Sequence, residues 1–224
     1  MKKYFNVLRK CPLFQTIADD DLFKMLDCLG AKVVSFPQKA AILSEGETVR
    51  YVGIVLSGSA QIIQMDYFGN RSIVASIMPS ELFGESFACA GVAAMPVNVV
   101  ANEDAAIMLI DHIRITQPCS DACEFHRKMM DNLLKIVAMK NLAFHQKIEI
   151  TSKRTTREKL LAYLLLQAKK TNASRFEIPY DRQELADYLG VDRSGLSVEI
   201  SKLRREGIID CRRNHFELLR PVEI

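Results

Sequence analysis

The chain has 224 residues, a formal net charge of +3 and 49% hydrophobic residues. This length and hydrophobic content are enough to build the buried core of one large domain or of two smaller ones. No segment reaches the roughly 18 consecutive apolar residues of a membrane-spanning helix, and the basic first residues lack the apolar run of a secretory signal. We therefore expect a cytoplasmic protein that does not enter a membrane and keeps its six cysteines reduced.

Residues 1–118 are predicted to form an N-terminal domain built mainly of β-strands. Residues 14–29 have the pattern of one or two short helices, and Asp19–Asp21 suit a helix N-terminus. From about residue 30 to 115, short runs rich in Val and Ile alternate with turn residues. This alternation predicts a compact antiparallel sandwich or roll. Turn residues lie at Gly46, Gly58, Gly69, Asn70 and Pro79.

Residues 119–150 are predicted to form one long helix, because the segment from 120 to 150 contains no Gly or Pro. Residues spaced alternately by four and three form a coiled-coil seam with one polar member: Met130, Leu134, Val137, Asn141, Phe144 and Ile148. A second stripe lies beside this seam: Phe125, Met129, Leu133, Ile136 and Ala143. Two adjacent stripes can pack on the helix's own domain and on a symmetry mate, so we expect a homodimer. The alternative is a wholly buried helix in a monomer.

Residues 151–224 form the most basic part of the chain, with 15 Lys and Arg against 11 Asp and Glu. The pattern predicts an amphipathic helix, a short strand, two short helices joined at Gly190, and a hairpin that turns near Arg213 and Asn214. Asp181 and Asp192 are positioned to cap the two short helices. Their apolar positions form the buried side: Leu185, Ala186, Leu189, Leu196, Ile200 and Leu203.

The outer side of the second short helix has an unusual composition for a face in contact with solvent. It consists of Arg193, Ser194, Ser197, Val198, Ser201 and Lys202. Serines permit close approach to another surface, and a valine gains nothing from water. A guanidinium can bind guanine, hydroxyls can make mixed contacts and a valine can contact a thymine methyl group. This face therefore favours insertion into the major groove of double-stranded DNA, although a solvated charged face is the simpler alternative.

Residues 181–209 resemble the winged helix-turn-helix of the Crp/Fnr transcription regulators, and the order of the three parts matches that family over nearly the whole chain. The resemblance implies an α+β fold: an N-terminal antiparallel β-roll of the jelly-roll, or double-stranded β-helix, type, a long dimerisation helix and a C-terminal winged helix-turn-helix. By the same resemblance, Arg182 and Gln183 would hold phosphates, and RNA polymerase would be a partner. Some members carry Glu at the position of Ser194 and Arg at that of Val198, so the preferred DNA site should differ from theirs. Bases would be met by Arg193, Ser194, Ser197 and Val198.

The N-terminal roll resembles a cyclic-nucleotide-binding domain, because ELFGES matches its Phe-Gly-Glu motif. In nucleotide-binding members the glutamate, here Glu85, meets the ribose, and an Arg-Ser or Arg-Thr pair about ten residues later takes the phosphate. Met95 and Pro96 stand at those two positions, so we do not expect cyclic AMP. The effector is unknown, and we expect an apolar or aromatic molecule or none. Its candidate contacts are Glu85, Met95, Leu134, Val137 and Ala138, although Glu85 has a purely structural role as an equal alternative.

Cys119, Cys123 and His126 are spaced to share one helix face and could supply three metal or redox ligands. The sequence contains no second cluster, so the favoured alternative is that these cysteines act as small apolar residues. Oxygen-sensing relatives bind an iron-sulfur cluster through grouped N-terminal cysteines, whereas only Cys11 lies in that region. We therefore expect no such cluster.

The sequence lacks the motifs of common enzyme sites: a P-loop, a Gly-x-Ser-x-Gly elbow and a His-Glu-x-x-His helix. We therefore expect a regulator rather than an enzyme. A second hypothesis is a ligand-sensing regulatory protein whose C-terminal domain binds another protein instead of DNA. The basic charge and the outer helix face favour DNA.

Overall fold

A computed structural model describes residues 2–117 and 124–219, which group into two compact units. The first unit comprises the chain up to Phe68 and Val74–Asn141, and the second comprises Gly69–Ile73 and the chain from Leu142 onward. The first contains the predicted antiparallel β-structure and the second the predicted helix-turn-helix, so the α+β expectation is confirmed. In the described parts of the chain, no helix combines the length and the apolar character needed to cross a membrane.

Two short helices precede the sheets of the first unit. They are α1 (Phe5–Lys10) and α2 (Asp19–Cys28), with 3-10 turns at Lys2–Tyr4 and Pro12–Phe14. The three aspartates Asp19–Asp21 fill the first turn of α2, as expected, where their negative charge meets the positive end of the helix dipole. Leu22 and Leu26, one turn apart on α2, are fully buried in the core of this unit.

Eight strands form two four-stranded sheets. The first has the order β1 (Lys32–Phe36), β8 (Ala105–Asp111), β3 (Tyr51–Ser57), β6 (Leu82–Phe83). The second has the order β2 (Ala41–Leu43), β7 (Asn98–Ala101), β4 (Ala60–Met65), β5 (Arg71–Ile77). All neighbouring strands of the first sheet pair antiparallel, and Ile54 of β3 lies opposite Met108 of β8. In the second sheet, β7 pairs antiparallel with both β2 and β4. The Val- and Ile-rich runs of the sequence are these strands.

Glycine is required at two places around the end of β6, one in the neighbouring strand and one directly after β6. A Cβ on Gly53, in the neighbouring strand β3, would lie 2.0 Å from Cζ of Phe83, so only hydrogen leaves room for that ring. Gly84 has φ of +81° and directly precedes helix α3 (Glu85–Cys89). Helix α4 (His112–Thr116) follows β8 and is capped by the carboxylate of Asp111.

The long helix α5 (Glu124–Thr151) has 28 residues and contributes to both units. In the first unit, part of the predicted second stripe is buried: Met129, Leu133 and Ile136. Asn132 on the same side donates its Nδ2 to the carbonyl oxygens of Leu13 at 3.1 Å and Gln15 at 2.7 Å. These bonds fix the N-terminal segment to the helix. Ala143, the last member of the stripe, is exposed.

The second unit contains three further helices and a three-stranded antiparallel sheet in the order β10-β11-β9. The elements are α6 (Thr156–Thr171), β9 (Arg175–Glu177), α7 (Arg182–Leu189), α8 (Arg193–Arg205), β10 (Ile209–Arg212) and β11 (His215–Leu218). The predicted strand, helix pair and hairpin are therefore confirmed. Tyr163, Tyr180 and Tyr188 pack together, with ring centroids 4.9 to 6.3 Å apart.

Candidate nucleic-acid interface

Local hydrogen bonds fix both ends of the helix-turn-helix. Asp181 and Glu184 form the predicted capping box, in which each side chain accepts a hydrogen bond of 2.8 Å from the other's backbone N–H. Gly190 ends α7 with φ of +62°, a conformation that glycine adopts without strain. Asp192 then caps α8 by accepting from the backbone N–H of Gly195 at 2.9 Å. The turn that orients α8 is thus specified by residues within the motif.

The inner sides of α7 and α8 pack into the core of the second unit. The six apolar residues expected there are all buried: Leu185, Ala186, Leu189, Leu196, Ile200 and Leu203. This packing leaves the opposite side of α8 without contact to the core.

The outer face of α8 comprises Arg193, Ser194, Ser197, Val198, Ser201 and Lys202, and all six are exposed. Val198 is 52% exposed, which is unfavourable for an aliphatic side chain in water. The hydroxyl groups of Ser197 and Ser201 donate to backbone carbonyls one turn earlier, at 3.0 and 2.9 Å. Their oxygen lone pairs stay on the exposed side and can accept hydrogen bonds from a partner.

The two cations of the outer face differ in their freedom. Lys202 pairs with Glu199 at 2.6 Å, so part of its charge is neutralised within the helix. Arg193, in the first turn of α8, has no ion pair with any residue in the described ranges and is exposed. Because a guanidinium presents several donors in one plane, Arg193 is the outer-face residue best able to bind a planar acceptor pair.

Arg182 and Gln183 begin α7, and both already contact other side chains. The guanidinium carbon of Arg182 lies 5.9 Å from the ring centroid of Phe216 in β11, and its buried Nη1 has no hydrogen-bond partner among the described residues. Gln183 donates its Nε2 to Asp187 at 2.8 Å. This cation–π contact restrains the Arg182 side chain beside β11.

The structure adds a groove beside α8 that the sequence interpretation did not include. It is an open cavity of about 530 Å³ lined by Thr155, Thr156, Arg157, Ser194, Gly195, Val198 and Glu199. The N-termini of α6 and α8 both reach it, and helix N-termini favour anions. Arg157 itself forms a bidentate pair with Glu206, at 3.0 and 2.5 Å. Its guanidinium is therefore less available to bind an anion in the groove. The capping box of Thr155 and Glu158 was the sequence signal for this second helix start.

The second unit corresponds to a known DNA-binding domain. Residues 158–223 match the family model described as a Crp-like helix-turn-helix domain, and residues 33–121 match the cyclic nucleotide-binding domain. Together the two matches span most of the chain, in the order that the resemblance predicted. The chain belongs to the Crp/Fnr family. It is thus a transcription regulator of the Crp/Fnr type with a helix-turn-helix DNA-binding domain.

Relatives and solved structures agree with a Crp/Fnr assignment. The transcriptional activator protein FnrL of Cereibacter sphaeroides is 23% identical over 78% of this chain and 71% of its own length. The structure of FixK2 from Bradyrhizobium japonicum matches with a TM-score of 0.67 and 20% identity, over 84% of this chain and 92% of that one. The rat cGMP-dependent protein kinase 2 is 25% identical over 92% of this chain, but the match covers only 27% of the kinase.

In this Crp/Fnr chain, Glu85 is a buried acid at the start of α3, only 2% exposed. Its Oε1 lies 2.8 Å from Nζ of Lys140 on α5 and accepts from the Ser86 hydroxyl at 3.1 Å. Met95 is buried, 2% exposed, and Pro96 beside it is exposed. The residue brought to the glutamate is therefore a lysine that the sequence interpretation did not include among the effector contacts.

Lys140 had a recognisable signal in the sequence. It continues the buried stripe of Met129, Leu133 and Ile136 at the next four-residue step, a position where a lysine needs an acidic partner. The other expected effector contacts on α5 lie differently: Leu134 is 71% exposed, Ala138 is exposed, and Val137 is partly buried against the core of the first unit.

The residues whose spacing predicts a dimer seam are largely exposed on α5. The exposed fractions are 39% for Met130, 71% for Leu134, 39% for Phe144 and 62% for Ile148, and Asn141 is also exposed. Met139 and Leu142, which the sequence interpretation did not include, are 65% and 56% exposed. A single helix thus presents many large apolar side chains to solvent, an arrangement typical of a surface that another protein chain covers.

The cysteine and histidine trio cannot be assembled from the described residues, because Cys119 and Cys123 lie outside them. His126 is buried on α5 and contacts the carbonyl oxygen of Arg114 through Nε2 at 3.1 Å. Cys11 is fully buried, and desolvation raises the pKa of its thiol to about 12. Cys11 therefore acts as an apolar core residue. Within the described ranges, no group of three His, Cys, Asp or Glu side chains could hold a metal ion.

Proposed function

We propose that this chain regulates transcription as a homodimer that binds a palindromic DNA site, with α8 of each protomer inserted in a major groove. The exposed outer face of α8 carries this proposal, because the six residues from Arg193 to Lys202 that form it contribute nothing to the core. Arg193 would read guanine, the serines would make mixed contacts and Val198 would contact a thymine methyl group. RNA polymerase is the expected protein partner, and the cytoplasm is the expected location.

Backbone contacts would position the motif on the duplex. Arg182, held by Phe216, and Gln183 would bind phosphates from the start of α7. Ser201 and Lys202 would lie at the far end of the outer face, where the ammonium is shared with Glu199. The N-termini of α6 and α8 add positive partial charge beside the same groove.

The dimer would form along α5. Its exposed seam of Met130, Leu134, Phe144 and Ile148 would pack against the same residues of a second copy, with Asn141 setting the register. Val137 would contribute its exposed part. The two copies of α8, related by a twofold axis, would then read half-sites roughly 34 to 36 Å apart, which is one turn of DNA.

Cyclic AMP is not the proposed effector. A buried phosphodiester would find Met95 where nucleotide-binding members have arginine, and would lose a charge-assisted contact worth about 1.5 to 3 kcal/mol per bond. Thermal unfolding with cyclic AMP, cyclic GMP and neutral aromatic molecules tests this part. We expect no change in melting temperature with either nucleotide. A large rise in melting temperature with a cyclic nucleotide, and not with the aromatic molecules, would contradict this part of the proposal.

A ligand-sensing regulator that binds protein through its C-terminal domain is the second candidate, favoured by the match to part of a cGMP-dependent kinase. Titration of the dimer with genomic DNA fragments at several salt concentrations separates the two. The DNA proposal predicts that the logarithm of the association constant falls linearly with the logarithm of the salt concentration. No binding even at low salt would favour the second candidate.

A further inference from the structure

The ion pair between Glu85 and Lys140 connects the two elements that a small effector would have to connect. Glu85 is the first residue of α3, and Lys140 is on α5; both belong to the first unit. A buried carboxylate without a cation is strongly disfavoured, so a 2% exposed glutamate needs such a partner. Its Oε1 lies 2.8 Å from the Lys140 ammonium. The carboxylate is therefore neutralised by the chain itself.

Lys140 makes a second contact on the same connection. Its Nζ donates to the carbonyl oxygen of Leu82 in β6 at 2.6 Å, while its side chain remains only 27% exposed. One ammonium thus binds both sides of the β6–α3 turn, which has Gly84 at its centre. The remaining oxygen of the acid, Oε2 of Glu85, is buried and accepts no hydrogen bond from any residue that the structure describes. The lysine is consequently the main support of this carboxylate.

We propose that Lys140 acts as a built-in ligand of Glu85 and replaces an effector, so that the DNA-binding form of the dimer is populated without any small molecule. This inference rests on the proposed function. A ligand can shift a conformational equilibrium only through contacts that differ between the two states. A bridge from α3 to α5 is such a contact, and here it is part of the chain. A polar ligand that used Oε1 would have to displace an ammonium from a buried site.

Stability and DNA affinity must be separated to test this proposal. Lys140→Met leaves the carboxylate of Glu85 buried and unpaired, so it should lower the melting temperature and also weaken DNA binding. The double variant Glu85→Gln with Lys140→Met removes both charges, and we expect it to recover most of the melting temperature. It still lacks the charged bridge, so its affinity for a selected DNA site should stay about tenfold or more below that of the wild type. Lys140→Arg retains a cation and should retain affinity.

The measurements use the full chain without added ligand, at a temperature where every variant is folded and at a concentration where sedimentation shows a dimer. Lys135→Met, at an exposed lysine of the same helix, is the matched control and should bind DNA like the wild type. If the double variant recovers affinity together with stability, the pair is merely structural and the inference is wrong. If the wild type itself binds no DNA, the proposed function fails instead. If wild-type affinity depends on added cyclic AMP or cyclic GMP, the built-in ligand is also excluded.

Discussion

The carboxylate of Asp192 accepts a hydrogen bond of 2.9 Å from the backbone N–H of Gly195, and the hydroxyl of Ser194 donates to the same oxygen. The Ser194 bond is the largest reason why the pKa of Asp192 lies below its ordinary value, and the Gly195 bond acts in the same direction. One side chain therefore fixes the start of α8, holds Ser194 of the outer face and does both best when ionised.

Asp192→Ala should lower the melting temperature of the protein, because an orphan N–H at the start of α8 loses its acceptor. Asp192→Asn keeps an acceptor and should cost less. The contribution of the aspartate is complete above the ordinary pKa of 3.8 and is lost as the pH falls through the lowered value. Thermal unfolding of the three proteins at about pH 7 and about pH 3 measures this. The assigned role would be contradicted if the difference in melting temperature between the wild type and Asp192→Asn were the same at both pH values.

Arg193→Ala should relax base preference and weaken binding to the selected site by about 1 to 3 kcal/mol, because the exposed guanidinium is the proposed guanine contact. Arg182→Ala should weaken binding on all sequences alike, since its proposed partner is a phosphate. Binding to the selected site and to single-base variants of it, at one salt concentration, measures both effects. The assignments fail if the two variants lose base preference equally.

Leu134→Glu should convert the dimer to a monomer without unfolding the chain. Leu134 is 71% exposed in one protomer, so the glutamate is tolerated there but would be buried without a partner at the proposed seam. The dimer dissociation constant should rise about 100-fold or more. Sedimentation velocity measures the change. Lys135→Glu introduces the same side chain at the next position of α5, away from the seam, and should remain dimeric; a dimeric Leu134→Glu protein would exclude the seam.

Lys147 gives the second unit a measurable dependence on pH. Burial lowers the pKa of this lysine from 10.5 to about 8, and its ammonium lies 4.4 Å from the ring centroid of Tyr188. Between these two values the unfolded chain binds a proton that the folded chain has released. The free energy of unfolding should therefore rise with pH in this window, by on the order of 1 to 3 kcal/mol in total.

Urea unfolding of wild type and Lys147→Met at about pH 7.5 and about pH 9.5 isolates this contribution, because cysteines and tyrosines that titrate nearby are common to both proteins. The wild type should gain stability relative to the variant as the pH rises. The same pH dependence in both proteins would show that Lys147 is not desolvated in the folded state.

Features encoded within a few residues could be predicted from the sequence. The capping box of Asp181 and Glu184, the cap at Asp192 and the turn at Gly190 each depend on neighbours three or four positions away. The buried positions of α7 and α8 follow from helical periodicity in the same way. For this reason the sequence alone defines the outer face of α8 as the positions that the buried stripe does not use.

Features that depend on distant parts of the chain could not be predicted. The partner of Glu85 lies 55 positions along the chain: helical periodicity places Lys140 on the buried side of α5, but no local pattern pairs it with Glu85. Likewise, the cation–π contact between Arg182 and Phe216 depends on how the β10–β11 hairpin packs against α7. Ala143 was expected on the buried stripe but is exposed, whereas Lys140 in the preceding turn is largely buried. Periodicity gives the face of a helix but not the point at which its neighbouring core ends.

Selection of bound DNA from a random pool tests the central claim most directly. Wild-type protein at a dimeric concentration is expected to enrich an inverted repeat whose half-sites are centred roughly 10 to 10.5 base pairs apart, or a multiple of this distance. The same selection with Arg193→Ala should yield a more degenerate repeat with unchanged spacing. If the wild type enriches no sequence, or enriches a single site without twofold symmetry, the outer face of α8 is not a paired DNA-reading surface and the account is wrong.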